Sequence, residues 1–203
     1  MDIQFGGQNK KPMSKSGLNM SRRIRRTPYT NKVEEFGVTG FTVVNHMLLP
    51  KAFKKNVEED YWHLKENVQL WDVSCQRQVQ VEGPDAETLI QKMTPRNITN
   101  MKVGKCLYIP LIDENAGMIN DPVLLKVDNN KFWLSIADSD ILLWAKGISI
   151  GLGLNVKINE PDIYPLAIQG PKAEDLLASV FDFTVSGVEK PPFKTPAHKT
   201  LGG

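Results

Sequence analysis

Apolar residues recur along the chain at two different spacings, which predict a mixture of helices and strands. A spacing of three to four residues marks helices at residues 57–69 and 84–93, and further helices that open at residues 137–140 and at residue 171. Strands are predicted, from short apolar runs or from strict alternation, at residues 41–44, 78–82, 107–112, 123–127, 132–136, 156–158 and 166–169.

The order of these elements predicts an α+β fold in which helices cover one face of mainly antiparallel sheets. Residues 83–90 are echoed at residues 170–177, and in both places a Gly-Pro pair follows a strand and opens a helix. The second copy is followed by a short segment with three prolines and no apolar periodicity past Val188. The repeat therefore predicts a fold that is incomplete at its C-terminal end.

A polar stretch, residues 113–122, separates two apolar runs and predicts a hairpin. The turn is expected at Asn-Ala-Gly, with Gly117 at positive φ, because glycine adopts that conformation without steric cost. Asn120, Asp121 and Pro122 would then start the second strand, with Pro122 removing a ladder donor. From these residues alone, a surface hairpin with a polar tip is the favoured interpretation.

Composition and charge exclude several classes of function. A net charge of +2 is too small to indicate nucleic-acid binding, and the two cysteines and three histidines lack metal-ligand spacing. No apolar run is long enough for a membrane span, and residues 1–20 lack the apolar core of a signal peptide, which favours a cytoplasmic protein. We expect a disordered arm at residues 1–20, one domain at residues 21–181 and an irregular Pro-rich tail at residues 182–203.

Four motifs in order resemble the folate-binding aminomethyltransferase family, the glycine-cleavage T-protein group. Residues 63–74 resemble its first signature, and residues 81–86, the hairpin and residues 167–171 follow in the family's order. Together the motifs span residues from about 22 to 181. The resemblance implies the family's α+β fold and a tetrahydrofolate site.

Further segments resemble a branch of this family that demethylates sulfonium compounds. The T-protein usually carries two adjacent aspartates where this chain has Asn120-Asp121, and the first of them is its functional carboxylate. The branch implies methyl transfer from dimethylsulfoniopropionate to a nitrogen of tetrahydrofolate, leaving methylmercaptopropionate. A sulfonium methyl is already activated, so alignment of two reactants supplies much of the catalysis. The segments that carry this resemblance are residues 21–28, 58–65, 112–115, 120–122 and 135–140.

The resemblance also implies roles for individual residues. Asp121 and Asn120 would hydrogen-bond the pterin or orient the accepting nitrogen, and Tyr108 would line the folate and substrate sites. Trp133 would offer its ring face to the sulfonium, a contact worth up to about 2 kcal/mol. Alternatives stay open, since Tyr108 also fits a core aromatic. The remaining cofactor-binding predictions are Ser135, Asp138 and Gln169. Asp138 also fits a helix N-cap, and Gln169 also fits a purely structural role without ligand contact.

Two other functional classes fit the same residues. One is an aminomethyltransferase that acts on a lipoyl-protein intermediate, against which Asn120 argues. The other is a non-catalytic folate-binding remnant, which the short chain favours. For the sulfonium demethylase the expected partner is a small-molecule substrate, a sulfonium compound, with neither nucleic acid nor membrane. Apolar faces meant for missing strands would be exposed, so association into a homodimer is a further expectation.

Overall fold

The computed structural model describes residues 23–54, 56–135 and 140–180. The arm predicted at residues 1–20 and the tail predicted at residues 182–203 lie outside these ranges. The helices are α1 (Thr30–Glu35), α2 (Val57–Glu66), α3 (Ala86–Met93), α4 (Ile141–Gly151) and α5 (Ala173–Val180). The strands are β1 (Val38–Val44), β2 (Met47–Phe53), β3 (Gln69–Asp72), β4 (Gln78–Glu82), β5 (Cys106–Tyr108), β6 (Leu111–Ile112), β7 (Met118–Asn120), β8 (Val123–Asp128), β9 (Lys131–Ser135), β10 (Lys157–Asn159) and β11 (Leu166–Gln169).

The largest sheet has five antiparallel strands in the order β10-β4-β9-β8-β5. Val79, Leu134 and Leu124 occupy one row across its three central strands, and all three side chains are fully buried. Helices α3 and α4 pack on this face and complete the core, for example through Leu89 and Ile141. The α+β prediction, with helices on one face of antiparallel sheets, is therefore confirmed.

A second sheet, β11-β3, repeats the local geometry around β4. Gly83 (φ +141°) follows β4 and Gly170 (φ +128°) follows β11, and each opens the next helix. A Cβ on Gly83 would lie 2.6 Å from the Asn155 carbonyl oxygen, and one on Gly170 would lie even closer to the Asn67 carbonyl oxygen. Each carbonyl belongs to the segment just before the strand's antiparallel partner. The sequence repeat is thus a repeated strand–glycine–helix unit.

The strand predicted at residues 41–44 is one arm of a longer hairpin. Strand β2 contains Pro50, where the sequence predicted that the strand had already ended. The turn uses Asn45 and His46 at φ 51° and 63°, a conformation that favours tight hairpins. The Asn45 side chain also donates to the Cys75 carbonyl at 2.7 Å and fixes the hairpin tip to the loop before β4.

Helix α2 is shorter than predicted. It starts at Val57 as expected, capped by Asn56, whose side chain accepts from the Glu58 amide at 3.1 Å. It ends at Glu66 rather than at residue 69, because the next residues extend into β3 and pair with β11. None of its residues is buried, so the predicted apolar stripe does not form part of the core.

The central hairpin is built differently from the prediction. Ala116, at φ 64°, takes the positive φ expected of Gly117. Gly117 instead makes room for the Asp113 carboxylate, which accepts from the Asn115 and Gly117 amides at 2.9 and 2.7 Å. The strand predicted at residues 107–112 is divided into β5, which pairs with β8, and β6, which pairs with β7 in a separate ribbon. The strand predicted at residues 123–127 forms as β8, which is separated from β7 by residues 121–122. Asp121 therefore lies in the link between β7 and β8 rather than inside a strand.

Helix α4 begins at Ile141, with Asp140 in the N-cap position and no side-chain capping bond there. The sequence predicted Asp138 as the cap, and Asp138 lies outside the described residues.

No helix within the described ranges has the length and apolar character needed to cross a membrane.

A partly buried ion pair joins the residue before β4 to the residue after β10. The Arg77 guanidinium donates from Nε and Nη2 to the two Glu160 oxygens at 3.0 and 2.7 Å, and Arg25 adds a third bond at 3.1 Å. Burial alone would raise the pKa of Glu160. The hydrogen bonds and charges of Arg77 and Arg25 outweigh burial and hold that pKa below its usual value.

Candidate functional site

The face of the large sheet that points away from α3 and α4 carries several of the predicted site residues. Tyr108 pairs with Val123, Val123 pairs with Ser135, and Ser135 pairs with Gln78, so one row of side chains crosses four strands. The Gln78 amide donates to the Ser135 hydroxyl at 3.1 Å. The sheet register therefore brings Tyr108 and Ser135 onto a common surface.

The adjacent row holds Trp133. It continues from Cys106 through Leu125 and Trp133 to Gln80. The indole N–H of Trp133 donates to the Gln80 side-chain oxygen at 2.9 Å, which fixes the orientation of the ring. Trp133 is half-buried on this face, one row from Tyr108 and Ser135.

Tyr108 and Asp121 form the polar centre of this face. The Tyr108 hydroxyl donates a short hydrogen bond to Oδ2 of Asp121. That bond and the negative charge of the carboxylate raise the pKa of the Tyr108 phenol. The Tyr108 side chain is 54% exposed, so the alternative of a tyrosine packed in the core is wrong. The pair presents an aromatic ring and a carboxylate together to solvent.

A residue outside the sheet donates a hydrogen bond to the backbone carbonyl of Tyr108. Arg96 donates from Nη1 to this oxygen at 2.7 Å, at the open edge of β5. The loop that carries Arg96 is braced by Gln91, whose amide donates to the Arg96 carbonyl at 3.0 Å and whose side-chain oxygen accepts from the Ile98 amide at 3.0 Å. The backbone and the hydroxyl of Tyr108 are thus both anchored.

The other predicted residues are distributed less compactly. Asn120 ends β7 next to Asp121, but its side chain is buried at 6% exposure. Gln169 is exposed and lies in the other sheet, opposite Gln69. Within the described ranges, Gln169 makes no hydrogen bond to the Tyr108–Asp121 pair. Asp138 lies outside the described residues, so the prediction for it is neither supported nor opposed.

Three residues of the site were missed from the sequence. Gln78 and Gln80 belong there only to the polar half of an alternating strand, and no sequence pattern singled out Arg96. Alternation identifies which face a side chain takes, but not the strand opposite it.

In the part of the chain that is described, no three His, Cys, Asp or Glu side chains are grouped so as to hold a metal ion.

The fold agrees with the comparison to known families. The model of the GCVT N-terminal domain matches residues 30–203. The chain belongs to this family.

Individual relatives fall into two groups. Over 168 residues the chain is 49% identical to dimethylsulfoniopropionate demethylase DmdA of Ruegeria pomeroyi, covering 83% of this chain and 46% of that protein. Over 151 residues it is 36% identical to the aminomethyltransferase of Natranaerobius thermophilus, covering 72% of this chain and 40% of that enzyme. The chain therefore spans about half the length of the curated relatives it matches.

A solved structure shows the same fold. The crystal structure of glycine cleavage system aminomethyltransferase T from Bartonella henselae superimposes with a TM-score of 0.70 at 23% identity. The match covers 82% of this chain and 45% of that one.

Proposed function

We propose that this chain takes part in tetrahydrofolate-dependent methyl transfer from dimethylsulfoniopropionate, giving methylmercaptopropionate and methyl-tetrahydrofolate. The observation that carries the proposal is the exposed Tyr108–Asp121 pair, which shares a sheet face with Trp133 and Ser135. The similarity to a dimethylsulfoniopropionate demethylase supports it. The activity belongs to relatives of about twice this length, so the chain is proposed as the part that carries this pair.

The residues present fit a reduced pterin. Such a ring is planar and carries N–H donors along one edge, so it requires acceptors and a flat apolar surface. Asp121 supplies acceptor oxygens, and the exposed Tyr108 ring supplies the surface. Within the described ranges the side-chain oxygen of Asn159 is buried without a hydrogen-bond partner, in the row that contains Gln80 and Trp133. This oxygen is a further acceptor on the same sheet.

The chemistry asks little of the protein beyond alignment. The pterin supplies the nitrogen that accepts the methyl group. The sulfur–methyl bond would break with its electron pair left on sulfur, a nitrogen–methyl bond would form, and the nitrogen would release its proton to solvent. We assign Asp121 the hydrogen bond that orients this nitrogen. The face of Trp133, fixed by Gln80, stabilises the sulfonium by about 2 kcal/mol at most.

A second candidate is aminomethyl transfer, which the 36% identity to an aminomethyltransferase favours. Asn120 separates the two candidates. The resemblance places the functional carboxylate of the T-protein group at this position, and this chain has a buried amide there. An amide cannot take up a proton, so we rank aminomethyl transfer below sulfonium demethylation.

The test is turnover of dimethylsulfoniopropionate with tetrahydrofolate, followed by the appearance of methylmercaptopropionate. We expect Asp121→Asn to lower kcat/KM at least about a hundredfold, because it removes the charge that orients the acceptor. Glu114→Gln is the matched control, since Glu114 is an exposed carboxylate on the same hairpin. Equal turnover by the Asp121→Asn variant and the unmodified chain would remove Asp121 from the mechanism.

The same preparation separates the alternatives. Calorimetry with tetrahydrofolate gives no heat if the chain is a remnant without a folate site. Release of methylene-tetrahydrofolate from an aminomethyl-lipoyl donor, without any methylmercaptopropionate from the sulfonium, would favour the aminomethyltransferase.

A further inference from the structure

Arg96 differs from the arginines that hold the fold together. Arg25 and Arg77 bind Glu160, and Arg26 binds Glu34 through both of its oxygens. Within the described ranges Arg96 makes no salt bridge, and its side chain donates to one neutral acceptor, the Tyr108 carbonyl. A guanidinium has five N–H donors arranged to bind a carboxylate with two parallel bonds. Most of these donors are thus available beside the candidate site.

The position of Arg96 is fixed by its loop. The Gln91 side chain bonds the Thr94 carbonyl at 3.3 Å and the Arg96 carbonyl at 3.0 Å, and it accepts from the Ile98 amide. The Arg96 guanidinium is therefore held against the edge of β5, although the residue is exposed. A held arginine loses less side-chain entropy on binding a ligand than a free one.

The charges around Tyr108 are arranged in a definite order. The Arg96 cation lies at the backbone end of Tyr108, and the Asp121 anion lies at the hydroxyl end. One tyrosine side chain separates the two charges. A small molecule with a cation at one end and a carboxylate at the other is complementary to this arrangement.

We infer that Arg96 binds the carboxylate of a short sulfonium–carboxylate zwitterion and so selects that substrate class. The inference rests on the proposed function, because it assumes that the sulfonium end lies toward Tyr108, Asp121 and Trp133. It adds a specificity residue that the motifs in the sequence did not indicate. The glutamate tail of folate is a second source of carboxylate, and the experiment separates the two.

The test compares two variants of Arg96. Arg96→Gln removes the charge but keeps an N–H donor for the Tyr108 carbonyl, and Arg96→Lys keeps the charge but loses the forked geometry. Lys102→Gln is the control, since it removes an exposed cation from the same loop region. Binding of methylmercaptopropionate and of its neutral amide is measured by calorimetry on each protein. The phenolate titration of Tyr108 reports whether the Tyr108–Asp121 pair is intact.

We expect the unmodified chain and Lys102→Gln to bind the carboxylate compound more tightly than the amide. Arg96→Gln should weaken binding of the carboxylate compound about tenfold to a hundredfold and leave binding of the amide and the Tyr108 titration unchanged. Arg96→Lys should fall between them. Equal losses for both compounds, or no loss, would overturn the inference, as would a loss confined to tetrahydrofolate binding.

Turnover distinguishes this inference from the proposed function. If Arg96→Gln loses carboxylate selectivity while the unmodified chain shows no methyl transfer, the carboxylate site stands and the proposed reaction fails. If the unmodified chain demethylates dimethylsulfoniopropionate and Arg96→Gln does so with the same KM, the reaction stands and the role of Arg96 is wrong.

Discussion

At the scale of single residues, exposure decides what Tyr108 and Arg77 do. Each residue is hydrogen-bonded to a carboxylate, Tyr108 to Asp121 and Arg77 to Glu160. Tyr108 is 54% exposed and bonded to one carboxylate, whereas the Arg77 side chain is only 9% exposed and bonded to Glu160 through two oxygens. The Tyr108–Asp121 pair is therefore accessible to a ligand, whereas the Arg77 guanidinium is shielded from solvent. We therefore assign function to the first pair and stability to the second.

The alkaline titration of Tyr108 tests the first pair. Asp121 raises the pKa of its phenol, so the stabilising bond is present below the ordinary tyrosine pKa and is lost as pH rises through the raised value. We expect Asp121→Asn to shift this titration to lower pH. The measurement is phenolate absorbance, and subtraction of a Tyr108→Phe titration isolates the one phenol. An unchanged curve in Asp121→Asn would show that the bond is absent in solution.

The acid stability of the chain tests the second pair. The pKa of Glu160 is held low in the folded state, so its stabilisation is present above the ordinary glutamate pKa and is lost as pH falls through the lowered value. We expect Arg77→Met to cost about 1–3 kcal/mol near neutral pH, because Glu160 keeps Arg25 as a partner. The loss of stability on acidification should also become smaller in this variant.

Urea unfolding at several pH values measures both effects. Arg26→Gln is the control, since the Arg26–Glu34 pair is more exposed and should contribute less than about 1 kcal/mol. Equal costs for the two substitutions would contradict the distinction between the more buried and the more exposed ion pair.

At the scale of elements, the glycines that end β4 and β11 are the parts the fold can least replace. Each has a positive φ, and each lies against a backbone carbonyl that cannot move away without disturbing the partner strand. The same unit occurs twice, so the same steric limit occurs twice. The repeated Gly-Pro of the sequence is explained by this close approach of two backbones.

Substitution of these glycines tests the repeated unit. We expect Gly83→Ala and Gly170→Ala each to lower the free energy of unfolding by about 1–3 kcal/mol, from strain and from the clash with the Asn155 or Asn67 carbonyl. Gly147→Ala in α4 meets no atom within 4 Å and should stabilise by about 0.5–1 kcal/mol. Denaturant unfolding of the three variants compares them directly, and a neutral Gly83→Ala would refute the steric account.

At the scale of the whole molecule, the two sheets are not equally covered. The five-stranded sheet packs its core face against α3 and α4, and among the described residues that core contains fifteen buried side chains. The β11-β3 sheet exposes large apolar side chains, with Leu70 at 60%, Trp71 at 45% and Leu166 at 40%. Apolar surface of this kind favours association, and the homodimer expected from the sequence stays a prediction.

A charge introduced into this apolar surface tests its tendency to associate. We expect Leu70→Lys to reduce the fluorescence of a hydrophobic dye bound to the chain and to lower any concentration dependence of its sedimentation, because it disrupts the exposed apolar patch. Met118→Lys, on an exposed strand of the central hairpin, is the control. Equal effects of the two substitutions would show that the β11-β3 surface has no special tendency to associate.

The sequence by itself determined the class of fold and most of the strands and helices. These depend on local spacing and on residue type, such as the alternation in β4 and the Gly-Pro starts of two helices. It was less reliable where a neighbour distant in sequence decides the outcome. Helix α2 ends earlier than predicted because the residues after it form β3, which pairs with β11. Strand β2 contains Pro50 because it belongs to a two-stranded hairpin.

Only the tertiary structure decided the composition of the candidate site. Tyr108, Ser135 and Trp133 share a surface because β5, β8, β9 and β4 align in one register, and Arg96 reaches Tyr108 from a separate loop. Periodicity indicates which face a side chain takes, but register depends on contacts between strands tens of residues apart. The chemistry of the residues can therefore be read along the chain, while the distances that combine them into a site arise only when the sheet forms.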